Sequence, residues 1–251
     1  MSKKPHLAIL DWGIGGLSVQ QQIKAQLGDV PILYFSDTGV TPYGKMSRPE
    51  LVSRLHHVIA FLQTQGVTHL VIGCNAASTA IPFLEVADLP IEGVIESAVR
   101  ITARLHPARL AIIGGRRTVL SGVYRRAFAA HGIKVKQRIA QPLSALIESG
   151  DISSATLRTQ CRQILGPIKH CSHLLLACTH YPAITPVLRE FVAPNTVFIN
   201  PASALVKQVK RWQLPTNGPD IYLTTGEAEQ MKQAAWRAFD WKIEEVTRLI
   251  I

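Results

Sequence analysis

Residues 69–78 read HLVIGCNAAS: an unbroken apolar run, Leu70-Val71-Ile72, closes on a glycine, a thiol at Cys74 and small, mostly polar groups. Strict alternation would mark a strand with one wet face. An unbroken run bounded by turn residues instead marks a strand covered on both faces, the habit of parallel sheets. The device returns 104 positions later in HLLLACTHYP, residues 173–182, where Leu174-Leu175-Leu176 leads to Cys178. The two segments form a weak internal repeat. If two similar halves face one another across a cleft, equivalent strand ends approach a small ligand from opposite sides, and Cys74 and Cys178 flank it.

Outward from these segments the pattern continues. LAILDW, PILYFSD, IEGVI, RLAIIGG, NTVFIN and DIYLTTG read as further strands. Between them GLSVQQQIKAQL, PELVSRLHHVIAFLQTQ, ESAVRITARLH, SGVYRRAFAAHG, SATLRTQCRQIL and GEAEQMKQAAWRAF read as helices. Such alternation predicts an α/β fold with largely parallel sheets covered on both faces. Ligands of these sheets gather at the carboxyl ends of the strands, where loops enter helix amino termini. On that edge the pattern puts Asp11, Asp37, Cys74, Asn75, Thr118, Cys178, Thr179 and His180.

Composition bounds the rest. The 251 residues, 47% hydrophobic and 18% charged, suffice for a sizeable core and for one large or two small domains. No run reaches the roughly 18 apolar residues of a membrane helix. The amino end MSKKPHLAILDWG lacks the apolar stretch and cleavage site of a leader, so the expected address is the cytoplasm. The four cysteines are read there as reduced thiols, Cys161 and Cys171 as packing. His56, His57 and His106 lie in helical stretches and read as surface or satisfied core groups. Cys178-Thr179-His180 has no second spaced ligand pair, so no metal is expected. Asp11-Trp12-Gly13-Ile14-Gly15-Gly16 departs from the GxGxxG dinucleotide fingerprint, so no nucleotide cofactor is expected. Residues 97–215 carry 17 Lys and Arg against 3 acids, a net of +14 in a chain whose total is +10. A basic surface draws anionic metabolites or nucleic acid, although dispersed charges also fit a solvated face.

Two thiols on opposite sides of one carbon have a chemical use. Inverting that carbon by proton transfer requires a base on one face and an acid on the other, and a thiolate with a thiol supplies both from one residue type. His180, two positions past Cys178, is placed to stabilise a thiolate there. Asp11 is placed to accept or pass a proton, or to hold a substrate ammonium.

DWGIGGLSV, YFSDTGVTPYG, VIGCNAAS, GGRRTVLSGVY, LIESGD and LLACTHYP, in that order, resemble the successive motifs of cofactor-independent glutamate racemases, within the aspartate/glutamate racemase superfamily. The resemblance implies two pseudo-symmetric α/β domains with an active site between them: residues 1–96 plus 208–251 carrying Cys74, and residues 97–207 carrying Cys178. It implies racemisation of an acidic amino acid with no cofactor, and a homodimer as the usual assembly. Cys74 and Cys178 correspond to the catalytic bases, Asp11 to the acid beside the first, His180 to the imidazole assisting the second, and Glu148 and Asp37 to further acidic positions. Asn75, Thr179 and the Pro42-Tyr43-Gly44 turn correspond to groups that hold substrate, with Thr118 from the fourth motif.

The departures are specific. Trp12 stands where the family has serine and Ala76 where it has threonine, both at positions expected to touch substrate. Gly115 replaces a threonine, Gln141 a cysteine, and Asn200-Pro201 an Asp-Ser pair. A bulky Trp12 is expected to narrow the cleft, which makes aspartate a competitor of glutamate. The alternative is a catalytically weak relative that binds an acidic partner, nucleic acid or the DNA gyrase that some glutamate racemases restrain. Retention of Cys74, Cys178, Asp11 and His180 argues against it.

Overall fold

The computed structural model describes residues 6–251; the first five residues of the amino end read above lie outside the described residues. The first sheet is built from β1 (Leu7–Asp11), β2 (Ile32–Ser36), β3 (His69–Ile72), β4 (Ile91–Gly93), β9 (Ile221–Thr224) and β10 (Thr247–Arg248). The second holds β5 (Leu110–Gly114), β6 (Val135–Ile139), β7 (His173–Ala177) and β8 (Val197–Ile199). Their orders are β10-β9-β2-β1-β3-β4 and β6-β5-β7-β8, and every pairing is parallel. The run β2-β1-β3-β4 is thus repeated as β6-β5-β7-β8. Register repeats with it, Leu7 facing His69 in the first sheet and Leu110 facing His173 in the second. The sequence repeat is a repeat of topology, and it sets Cys74 and Cys178 at corresponding strand ends.

Two strands lie outside the sequence expectation. β6, VKQRI, is an edge strand with Lys136 and Arg138 exposed. Charge on an edge blunts pairing with other chains, but it also erases the apolar run by which the buried strands are recognised. β10 is only two residues long and both are exposed.

Alternation along the buried strands explains how the sheets join. Leu7 and Ile9 of β1 point to one face and Ala8 and Leu10 to the other, all of them fully buried. In β5, Ala111 and Ile113 separate in the same way from Leu110 and Ile112. Leu7, Ile9, Ala111 and Ile113 belong to one apolar core spanning both sheets, filled between them by the helices Leu17–Leu27 and Pro201–Val209. The halves therefore meet through dry packing, where truncating one large side chain to alanine costs about 2–5 kcal/mol.

Helix starts are chemically marked. Before the helix Arg48–Thr64 the Ser47 hydroxyl accepts the Glu50 N–H while the Glu50 carboxylate accepts the Ser47 N–H, a capping box with Pro49 in the first turn. Ser154 and Asn200 cap the helices Ala155–Leu165 and Pro201–Val209. Among the described residues no helix is long and apolar enough to cross a membrane.

Candidate active site

β1 delivers Asp11, 1% exposed, to the edge where the two sheets meet. One carboxylate oxygen accepts the Trp12 N–H at 2.6 Å and the other accepts the Thr179 hydroxyl at 3.1 Å, so Asp11 joins the loop after β1 to the loop after β7. Burial raises its carboxyl from 3.8 to about 6, against the pull of His180, Cys74 and the Trp12 N–H and with a further push from Glu148. Cys74, half-buried after β3, has its thiol driven well above the ordinary range, first by burial and then by the Asp11 charge, with Cys178 adding to the repulsion.

The second thiol has the opposite partner. Cys178 Sγ lies 3.6 Å from His180 Nδ1, and His180 Nε2 lies 2.5 Å from the Glu148 carboxylate. Burial works against an imidazolium at His180, but the neighbouring Cys178 and Glu148 outweigh it and raise its pKa well above 6.5. Glu148 ends the helix Gln141–Glu148 and also accepts the Ile14 N–H at 3.0 Å.

The glycines after Asp11 make these approaches possible. A Cβ on Gly13 would overlap the Glu148 carboxylate, and one on Gly15 would sit 2.5 Å from His180 Nδ1 and 2.7 Å from Thr179 Oγ1. The glycine-rich stretch leaves room for a carboxylate and an imidazole arriving from the second sheet.

Asn75 opens the short helix Asn75–Ser78. Its Oδ1 accepts the Tyr124 hydroxyl at 2.7 Å, while its buried Nδ2 has no partner among the described residues. A buried amide donor left without a partner next to Cys74 is a candidate partner for a ligand. Tyr124, fully buried in the helix Val123–Ala129, thus fixes Asn75 from the opposite half, a role its sequence position alone did not suggest.

Asp37, read as a further acidic position, and Tyr43, of the turn read as holding substrate, are tied to each other through their side chains. The Tyr43 hydroxyl donates to Asp37 at 2.6 Å, Arg54 forks onto both carboxylate oxygens at 2.9 and 2.6 Å, and the Thr225 hydroxyl donates at 2.9 Å. With every oxygen engaged and Asp37 fully buried, this cluster braces the loop after β2. Pro42 accepts the Lys45 N–H at 2.7 Å within that loop. Thr118 is buried in the helix Arg116–Leu120, and Ala76 is half-buried next to Asn75. Among the described residues no three His, Cys, Asp or Glu side chains are grouped to hold a metal.

A model of the Asp/Glu/hydantoin racemase family matches residues 9–209, a span that includes both thiols, Asp11, Glu148 and His180. The chain belongs to the Asp/Glu/hydantoin racemase family. It is an amino acid racemase, an isomerase. A glutamate racemase from Desulforudis audaxviator is 32% identical over 270 aligned positions, covering 99% of this chain and 98% of its own. The crystal structure of a glutamate racemase isoform from Bacillus anthracis matches with a TM-score of 0.87 at 26% identity, covering 98% of this chain and 97% of that one. The Thermus thermophilus glutamate racemase in complex with β-chloro-D-alanine gives 0.84 at 27% identity, covering 98% of each chain.

Two departures of this racemase from the motif pattern prove to be neighbours. Gln141 Oε1 accepts the Arg116 N–H at 3.1 Å and lies 3.0 Å from where a Gly115 Cβ would be. It also lies 3.3 Å from the corresponding point of Gly44. The larger side chain at 141 fits because positions 44 and 115 are bare. Trp12 leans toward the loop after β2, its indole N–H donating to the Val40 carbonyl at 3.1 Å and its ring packed on the first sheet's outer core. Across the cleft Arg117 donates to the Thr79 hydroxyl at 3.0 Å and to the Met46 carbonyl at 2.6 Å.

Proposed function

We propose that this racemase interconverts L- and D-glutamate without a cofactor, passing the α-proton between Cys74 and Cys178. In this reading residues 1–96 with 208–251 form one lobe, residues 97–207 the other, and the substrate lies between them. One observation carries it: the two thiols follow corresponding strands of a four-strand run that the two sheets share, each beside a different polar partner.

In one direction the Cys178 thiolate, held by the His180 imidazolium, takes the α-proton. The S–H bond forms as the C–H bond breaks, and the electron pair passes into the substrate carboxylate. Asn75 Nδ2, buried and otherwise unpartnered, donates to that carboxylate as its charge grows. The Cys74 thiol then protonates the opposite face, leaving a Cys74 thiolate and a Cys178 thiol; the starting pair is restored when Cys178 gives its proton to solvent water and Cys74 takes one from it, the Asp11 carboxylate favouring the Cys74 thiol. In the other direction the thiols exchange roles. Glutamate is favoured because the full-length relatives named above are glutamate racemases, and the Trp12 indole is held toward the loop after β2 by its bond to Val40.

The test is chiral chromatography of glutamate and aspartate incubated in D2O with the pure protein and nothing else. Glutamate should racemise with deuterium entering the α position, and Cys74→Ser and Cys178→Ser should each abolish turnover. Near-normal racemisation by either variant would remove the two-thiol reading, and preferential turnover of aspartate would remove the substrate assignment.

A further inference from the structure

We propose that a cavity beside the catalytic cleft is a binding site for a phosphate-bearing anion. The cavity, about 730 Å³, lies where the loops after β2, β3 and β5 converge, and its wall includes Arg48, Arg116, Arg117, Arg126, Phe83 and Leu120. No acidic residue lines it, and none of the four arginines forms an ion pair among the described residues.

Their partners are all neutral. Arg48 lies over the Phe83 ring at 4.6 Å, Arg117 bonds to the Thr79 hydroxyl and the Met46 carbonyl, and Arg126 donates to the Ser121 carbonyl at 2.9 Å. Burial and then the charge of Arg48 lower the pKa of Arg117, a sign of like charges held close together. A merely solvated basic face separates its charges or interleaves acids among them; here four guanidinium groups converge on one concavity.

The chemistry selects the ligand class. The guanidinium fork matches phosphate oxygens two at a time, and four such groups exceed what a single carboxylate can neutralise. Phe83 and Leu120, 47% and 61% exposed, supply an apolar wall for the organic part of a phosphate ester. Thr118, on the same helix as Arg116 and Arg117, is buried and does not line the cavity, whereas Gly44, at the end of the turn read as holding substrate, does, so the cavity adjoins the catalytic cleft at that turn. Three of the four arginines fall within the basic segment 97–215, whose excess charge the racemase chemistry leaves unused.

Inorganic pyrophosphate is the probe, titrated calorimetrically into the full chain at fixed ionic strength. One saturable site is expected, weakening as salt is raised and preferring pyrophosphate to sulfate at equal ionic strength. Binding should fall at least tenfold in the Arg116→Ala/Arg126→Ala double variant, with circular dichroism checking that the fold is kept. Arg48→Glu, at a third exposed position, should give the same loss independently. The proposal is overturned by the absence of saturable heat, by affinity unchanged in these variants, or by displacement of pyrophosphate by glutamate, which would make the cavity part of the substrate's path.

Discussion

Replacing Asp11 by asparagine should stabilise the protein while disabling it, and the gain should depend on pH in a defined way. Burial holds the Asp11 carboxyl at about 6 against an ordinary 3.8, so the folded chain binds this proton more tightly than the unfolded chain does. Ionisation therefore opposes folding. The penalty is absent well below pH 3.8, grows as pH rises from about 4 to 6, and is constant above that. At about 1.36 kcal/mol per pH unit, the gap between 3.8 and about 6 corresponds to about 3 kcal/mol on the plateau. An asparagine fits the same contacts: Oδ1 still accepts the Trp12 N–H, and its amide can donate to the Thr179 hydroxyl, which now donates to Asp11. Urea unfolding followed by circular dichroism at pH 4, 6 and 8 tests this. Asp11→Asn should be more stable by about 2–3 kcal/mol at pH 8 and by under about 1 kcal/mol at pH 4. A variant no more stable than the parent at pH 8, or a gain as large at pH 4 as at pH 8, would refute the reasoning.

Gly15→Ala brings a methyl group 2.5 Å from His180 Nδ1, so kcat should fall by roughly 100-fold as the imidazole is displaced from Cys178; an unchanged kcat would show that the close approach is not needed. Tyr124→Phe removes the hydroxyl that fixes Asn75 at 2.7 Å, and kcat should fall about tenfold with KM little altered, matching the net value of one buried hydrogen bond. A loss confined to KM would mean that Asn75 holds substrate without favouring the transition state. Arg54→Met strips the fully buried Asp37 carboxylate of its forked partner and should cost about 3–5 kcal/mol, lowering Tm by about 6–20 °C; a change of under 2 °C would show that Tyr43 and Thr225 suffice.

The parallel strands were legible because burial on both faces leaves evenly apolar runs, and β1, β3, β5 and β7 are buried almost throughout. β6 was not, because an edge strand wears charge for the reason that makes it hard to recognise. Within the site, residues adjacent to strand ends could be placed from sequence, since the edge of an α/β sheet is where such ends gather. What escaped were the partnerships. Gly13 and Gly15 read locally as turn residues; their purpose depends on Glu148 and His180, which arrive from 135 and 165 positions away. Asp37 looks like a free acid at a strand end until Arg54, seventeen residues on in the next helix, closes on it. Tyr124 carries no local mark, because its role is a single hydroxyl reaching across to Asn75.

Corresponding positions in the two sheets do not give the thiols equivalent surroundings, and the proposed two-thiol mechanism depends on the difference. In that mechanism a reaction in either direction begins with one thiol ionised and the other protonated. Identical neighbours would drive both to the same state. Here burial and a carboxylate favour the protonated form at Cys74, while Cys178 stands 3.6 Å from an imidazole that Glu148 backs. The proposed mechanism starts from one thiol of each kind, and these unequal neighbours suit it. In the proposed mechanism each turnover reverses that arrangement, and a different polar group stands beside each thiol: Asp11, with a carboxyl near 6, beside Cys74, and His180 beside Cys178. Thr179 couples the two sides, because it lies between Cys178 and His180 in the chain while its hydroxyl donates to Asp11. A displacement of that loop would therefore disturb both proton partners at once, so the geometry of the cleft and the unequal protonation of its thiols are maintained together.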